Sequence, residues 1–229
     1  MDLAKPHLDV GLFTSRRDEQ LSFWKHEAGL QYDHMARLGG GLQQHRFHAN
    51  GSIIKVNHAR DPLGDAPASG IAGVRIASAG IDSRRDLVDP DGNPVALVPN
   101  GEDGVVGIWI GLRVNNREAH DRFWREVMQF ESPAPWTYTC GDTILGIVAE
   151  GRLDRATTYR AGGWRYLTVQ IRDCAVEHAG VLARGGEEGA PPRWIGDEVH
   201  MSFVRDPDGN FIELSQRASL VGGVAAVRR

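Results

Sequence analysis

Between Asp9 and Phe13 the chain alternates with a period of two, Val10 and Leu12 on one side and Asp9, Gly11 and Phe13 on the other. This pattern predicts a half-buried β-strand. The period then lengthens: Leu21, Trp24 and Ala28 recur at helical spacing, as do Ala119, Phe123 and Val127 later. Each set predicts a helix laid against a sheet. Ser15 with Asp18, and Asn115 with Glu118, read as the capping boxes that start these helices. Tyr166 to Ile171 alternates again, with Leu167, Val169 and Ile171 as its packing face. Asp173 is expected to cap a third helix, with Val176, Ala179 and Ala183 facing inward and Gly185-Gly186 ending it. The matching place after Ile71 to Ile76 has too few residues for such a helix, and Pro62 to Gly70 reads as a flexible connection.

The pattern repeats. Asp9-Val10-Gly11-Leu12 with Phe23-Trp24 is matched by Trp109-Ile110-Gly111-Leu112 with Phe123-Trp124, each pair 100 positions apart. Asp89-Pro90-Asp91-Gly92-Asn93 returns as Asp206-Pro207-Asp208-Gly209-Asn210, and each copy is expected to turn the chain between two antiparallel strands. The chain therefore divides into two homologous halves, residues 1–100 and 105–217, with an extension over 218–229. The two Phe-Trp pairs are read as core.

Composition adds exclusions. A net charge of -4, with Lys and Arg scattered, argues against a nucleic-acid surface. No apolar run approaches the roughly 20 residues that span a bilayer, and Met1 to His7 lacks the character of a secretory leader. A cytoplasmic protein with a small-molecule ligand, monomeric or homodimeric, is expected. Cys140 and Cys174 lie in different segments and suggest neither a disulfide framework nor a zinc knuckle.

The order of elements, the repeat and the run Phe203-Val204-Arg205-Asp206-Pro207-Asp208-Gly209-Asn210-Phe211-Ile212-Glu213-Leu214 resemble the vicinal oxygen chelate superfamily of glyoxalase I, bleomycin-resistance proteins and extradiol dioxygenases. The resemblance implies an α+β fold of four βαβββ modules, the second trimmed, forming two cupped mixed β-sheets with flanking helices. It also implies metal ligands on the first and last strand of each module. Those positions fall on Asp9, Lys55, Ile71 and Ala96 in the first half, and on Trp109, Gly146, Tyr166 and Glu213 in the second. Glu213 alone has the family's residue type, so the standard divalent-metal set is missing. If a metal binds, Glu213 is its first candidate ligand, with His7 and His48 weaker ones.

Each half is expected to form its own cup. In the first, Asp9, Lys55 and Asn57 share the concave face, and an Asp–Lys pair suggests an ammonium group in place of the metal. In the second, Trp109, Arg113, Tyr166, Thr168, Gln170, His200, Phe211 and Glu213 are expected to line an aromatic pocket, where Glu213 should have a raised pKa suited to proton transfer. Glu213, His200, Tyr166, Lys55 and Asp9 are the catalytic candidates; Trp109, Arg113, Thr168, Gln170, Phe211 and Asn57 are the substrate-binding ones. The favoured reading is an enzyme acting on an oxygenated or aromatic metabolite by proton transfer and oxyanion stabilisation, of isomerase or lyase type. The alternative is a metal-free binding or resistance protein, and a third reading, an extradiol-type dioxygenase, is disfavoured by Trp109 and Tyr166 at expected His positions.

Overall fold

A computed structural model describes residues 1–223. The first half runs β1 (Leu3–Thr14), α1 (Arg17–Ser22), β2 (Gln31–Gly39), β3 (Leu42–Ala49), β4 (Ser52–Ala59), β5 (Ile71–Ser78), β6 (Arg85–Val88) and β7 (Pro94–Pro99). The second runs β8 (Ile108–Val114), α2 (Arg117–Arg122), β9 (Glu131–Ala134), β10 (Thr137–Cys140), β11 (Thr143–Glu150), β12 (Gly163–Ile171), α3 (Cys174–Ala183), β13 (Glu187–Ile195), β14 (Val199–Arg205), β15 (Phe211–Arg217) and α4 (Ala218–Val221). The fold is α+β, as expected, and the second module has no helix. Of the expected C-terminal extension, Ala218–Val221 is a short helix and residues 224–229 lie outside the described residues.

The strands form an eight-stranded sheet, β13-β14-β15-β12-β1-β4-β3-β2, and a seven-stranded sheet, β6-β7-β5-β8-β11-β10-β9. This corrects the expectation that each half closes its own cup. The first module joins the fourth through the antiparallel β1/β12 seam, and the second joins the third through β5/β8. Residue alternation specifies a strand's face and is silent about the edge it pairs with. Across the first seam Leu8 faces Val169 and Val10 faces Leu167, so the apolar faces of the two modules run on as one.

One large apolar cluster contains Val10, Ile54, Val169 and Leu214 of the larger sheet, Val74, Ile110 and Leu145 of the smaller one, and Phe23, Trp24, Phe123 and Trp124 from the helices. The repeated Phe-Trp pairs are core, as read from sequence, and each opens a π-helical turn (Phe23–Glu27 and Phe123–Val127). Truncating a buried aromatic of this kind costs about 3–5 kcal/mol.

The repeated Pro-Asp-Gly-Asn turns join β6 to β7 and β14 to β15, both antiparallel, as expected. They also hold the helices. Gln20 Nε2 donates to Asp89 and Asp91 at 2.9 and 2.8 Å, and at the equivalent position His120 Nε2 lies 2.9 Å from Asp208. The caps differ from the sequence reading by one position: Asn116 caps α2, while Arg16 holds the N-cap position of α1 without a side-chain hydrogen bond. Asp173 does cap α3. Its buried residues, however, are Cys174, Glu177, His178 and Val181, and Val176 is exposed. The helix is rotated because its N-terminal end, Cys174 and Glu177, docks against the sheet: Cys174 N–H donates to Gln216.

Candidate functional site

The eight-stranded sheet curls around a cavity of about 500 Å³. Its floor is made by the four central strands. β1/β4 register sets Gly11 beside Lys55, β12/β15 register sets Thr168 beside Glu213, and the seam sets Asp9 opposite Thr168 and Gly11 opposite Tyr166. Pairs in register share a face. Asp9, Lys55, Asn57, Tyr166, Thr168, Gln170, Phe211 and Glu213 therefore belong to one cup, although the sequence reading placed the first three apart from the rest.

At the centre, Lys55 Nζ donates to Glu213 Oε2 at 2.9 Å and to Thr168 Oγ1 at 2.6 Å, and the Thr168 hydroxyl donates to the same Glu213 oxygen at 2.9 Å. The Lys55 side chain is fully buried and Glu213 is 5% exposed. Burial pulls the Lys55 pKa down to about 8, even though Glu213 and Asp9 act to raise it. For Glu213, burial pushes the pKa up. The charges of Lys55 and Arg217 and the bonds from Lys55 and Thr168 outweigh that and leave it below the ordinary glutamate value. The raised value expected from an aromatic pocket is thereby corrected, because the buried ammonium was assigned to the other cup. Lys55 also pairs differently: Asp9 takes Lys5 at 2.7 Å, Ile53 N–H at 2.9 Å and Gln170 Nε2 at 2.9 Å, which occupies both its oxygens.

The Tyr166 hydroxyl oxygen accepts from Asn57 Nδ2 at 3.0 Å and Gln44 Nε2 at 3.3 Å. Asn57 is fixed by donating to Leu12 O at 2.8 Å and accepting from Gln44 at 3.0 Å. With both lone pairs of the phenol engaged, its own proton is left to donate. Burial, then the Glu213 charge, raises the Tyr166 pKa, so the phenol keeps that proton. The ring lies across β1 because residue 11 is glycine: a Cβ there would come within 2.2 Å of it.

Tyr166, Glu213, Asn57 and Gln44 face the cavity, walled by Phe13, Tyr159, Met201 and Phe203 and edged by Arg217. Tyr159 stacks on Phe203 with ring centroids 4.6 Å apart and meets Phe211 edge-on at 5.3 Å. Sequence reasoning missed Gln44, Phe203, Met201, Tyr159 and Arg217. Arg217 shares parity with Glu213 on β15 and was within reach of the alternation argument; Tyr159 sits in the irregular stretch before β12 and had no periodic signal.

Three expected cup residues lie elsewhere. His200 is on the opposite face of β14, since Phe203 pairs with Glu213 and Met201 with Ser215; it stacks on Trp194 at 4.5 Å. A parity error of one residue explains the difference. Trp109 and Arg113 belong to the seven-stranded sheet. Arg113 is exposed, and Trp109 lies over Gly111 and Gly146, where an added Cβ would meet its ring at 2.8 and 3.0 Å, with Arg75 4.2 Å above it. Trp109 thus lies against the seven-stranded sheet, over two of its glycines and beneath Arg75.

The metal implied by the resemblance does not fit this floor. Of the corresponding positions in this cup, Lys55 is a cation, Tyr166 is a neutral phenol, Asp9 is fully engaged and Glu213 is paired with the ammonium. A dication beside Glu213 would stand against Lys55. His7 and His48 do not join Glu213: among the described residues no three His, Cys, Asp or Glu side chains come together as a metal site. No helix among the described residues is long and apolar enough to cross a membrane.

No protein-family model and no curated protein matches the sequence. Solved structures do match it. Glyoxalase I from Zea mays superposes with a TM-score of 0.70 at 13% identity, covering 92% of each chain. A putative dioxygenase from Bacillus subtilis subsp. subtilis str. 168 reaches 0.69 at 13% identity over 98% of this chain and 87% of the other. The cppA protein from Streptococcus pneumoniae TIGR4 reaches 0.55 at 8% identity over 92% and 97%.

Proposed function

The chain has the vicinal oxygen chelate fold, and from that premise we propose that it is a small-molecule enzyme that moves a proton on an oxygenated, aromatic metabolite without a divalent metal. The observation that supports this most is the meeting of the Glu213 carboxylate and the Tyr166 hydroxyl, its proton uncommitted, at one 500 Å³ cavity. Glu213 takes a proton from the carbon next to a carbonyl. The electron pair of that C–H bond moves to the carbonyl oxygen, which receives the Tyr166 hydrogen bond as it becomes an enolate. The proton returns to the same carbon, giving exchange; where that carbon carries a hydroxyl whose proton passes to the enolate oxygen, it returns to the former carbonyl carbon instead, giving isomerisation. Lys55 does not line the cavity; it keeps Glu213 ionised and, with Thr168, orients it.

The second reading, a binding protein, is favoured by the Tyr159–Phe203 stack, which already forms a wall for a planar ligand. Hydrogen exchange separates the two. Phenylpyruvate and the neutral phenylacetone, incubated with the protein in D2O and followed by proton NMR, are expected to lose their α-hydrogens faster than in buffer. Binding without acceleration of either would sink the enzymatic reading and leave the second.

A further inference from the structure

The cup floor holds its charges in pairs. Lys5 meets Asp9 at 2.7 Å, Lys55 meets Glu213 at 2.9 Å and Arg46 meets Asp33 at 3.5 Å. Arg217 is the exception. It closes β15 on the face of Glu213 and lines the cavity, its Nε is buried without a hydrogen-bond partner, and no carboxylate among the described residues lies within ion-pair distance of it. Burial and the neighbouring Arg46 both lower its pKa, although Glu213 and Asp9 oppose this, so an anion placed against it would relieve a standing cost.

We propose that the ligand of this cup carries a carboxylate, taken by Arg217, while its planar body lies along Phe203 and Tyr159. This rests on the small-molecule reading of the cavity and names the class of its ligand. The geometry favours a carboxylate over a phosphate. Arg37, Arg160 and Arg193 also line the cavity but are exposed, whereas Arg217 is the guanidinium on the strand of Glu213, and its planar fork of donors matches a carboxylate in shape and charge. A dianion would set its second charge against the ionised Glu213, which faces the same space. The walls serve the remainder of the molecule: Met201, Phe13 and the stacked rings of Tyr159 and Phe203 offer it apolar contact.

The test uses cinnamate and its neutral isostere cinnamamide, with binding to the intact protein measured by calorimetry at pH 7. Cinnamate is expected to bind at least about ten-fold more tightly than cinnamamide, since a charge-assisted bond to a half-buried guanidinium is worth that factor or more. Arg217→Met should abolish the margin by weakening cinnamate alone, cinnamamide reporting that the cup is intact, and Arg217→Lys should keep part of it. Equal binding of the two probes, a margin that survives Arg217→Met, or binding of neither at millimolar concentration would overturn the proposal. The hydrogen-exchange result is independent: a carboxylate preference without exchange discards the enzymatic reading and leaves this one, whereas exchange of phenylacetone without a carboxylate preference does the reverse.

Discussion

Lys55→Met is expected to destabilise the folded chain by about 3–5 kcal/mol at neutral pH, because it leaves the Glu213 carboxylate, 5% exposed, without its buried ammonium partner. Urea unfolding followed by circular dichroism measures the loss as a fall in midpoint at constant slope. The double variant Lys55→Met with Glu213→Leu removes both charges and should recover most of the loss, since a buried pair exchanged for apolar groups of similar size is near neutral. A double variant no more stable than the single one would show that Lys55 supports the fold in some other way. The sign with pH follows from Glu213. Its folded pKa lies below its ordinary value, so the folded state binds fewer protons than the unfolded one; this contribution is complete above the ordinary glutamate range and is lost as pH falls through the folded value. The gap between wild type and Lys55→Met should therefore narrow in acid, where a protonated Glu213 needs no counter-ion.

Glu213→Gln is expected to lower the rate of α-hydrogen exchange by about 10²–10⁴-fold, the usual weight of a positioned general base. The amide oxygen can still accept from Lys55 and Thr168, so probe binding should change little and the effect should fall on kcat rather than KM. The wild-type profile carries a second signature. Activity requires ionised Glu213, and its pKa is lowered, so the acid limb should lie below the ordinary glutamate value instead of near neutrality. A variant that exchanges at the wild-type rate, or an acid limb near neutral pH, would remove Glu213 from the role of base.

Much of this molecule was legible before its structure. The Phe-Trp repeat and the duplicated Pro-Asp-Gly-Asn turns are local signals, and they marked the core and the hairpins because a turn or a helix face is decided within a few residues. Asp9, Lys55, Tyr166 and Glu213 were each singled out. Their convergence was not, since it depends on β1 pairing with β12 over more than 150 positions, and alternation contains no information about edges. That one topological fact changed the Lys55 partner from Asp9 to Glu213 and reversed the direction of the Glu213 pKa. His200 was lost through strand parity, where one residue of phase moves a side chain across the sheet. Tyr159 was lost because irregular segments have no period to read.

The central claim is that Lys55 holds the place a divalent metal would need. Elemental analysis of the purified protein after incubation with Fe(II), Mn(II), Ni(II) and Zn(II) and exhaustive dialysis, with Glu213→Ala beside it, tests this directly. Far less than one metal per chain is expected in both proteins, with exchange activity indifferent to chelator; near-stoichiometric metal in the wild type that disappears in Glu213→Ala would overturn the assignment of that place to Lys55.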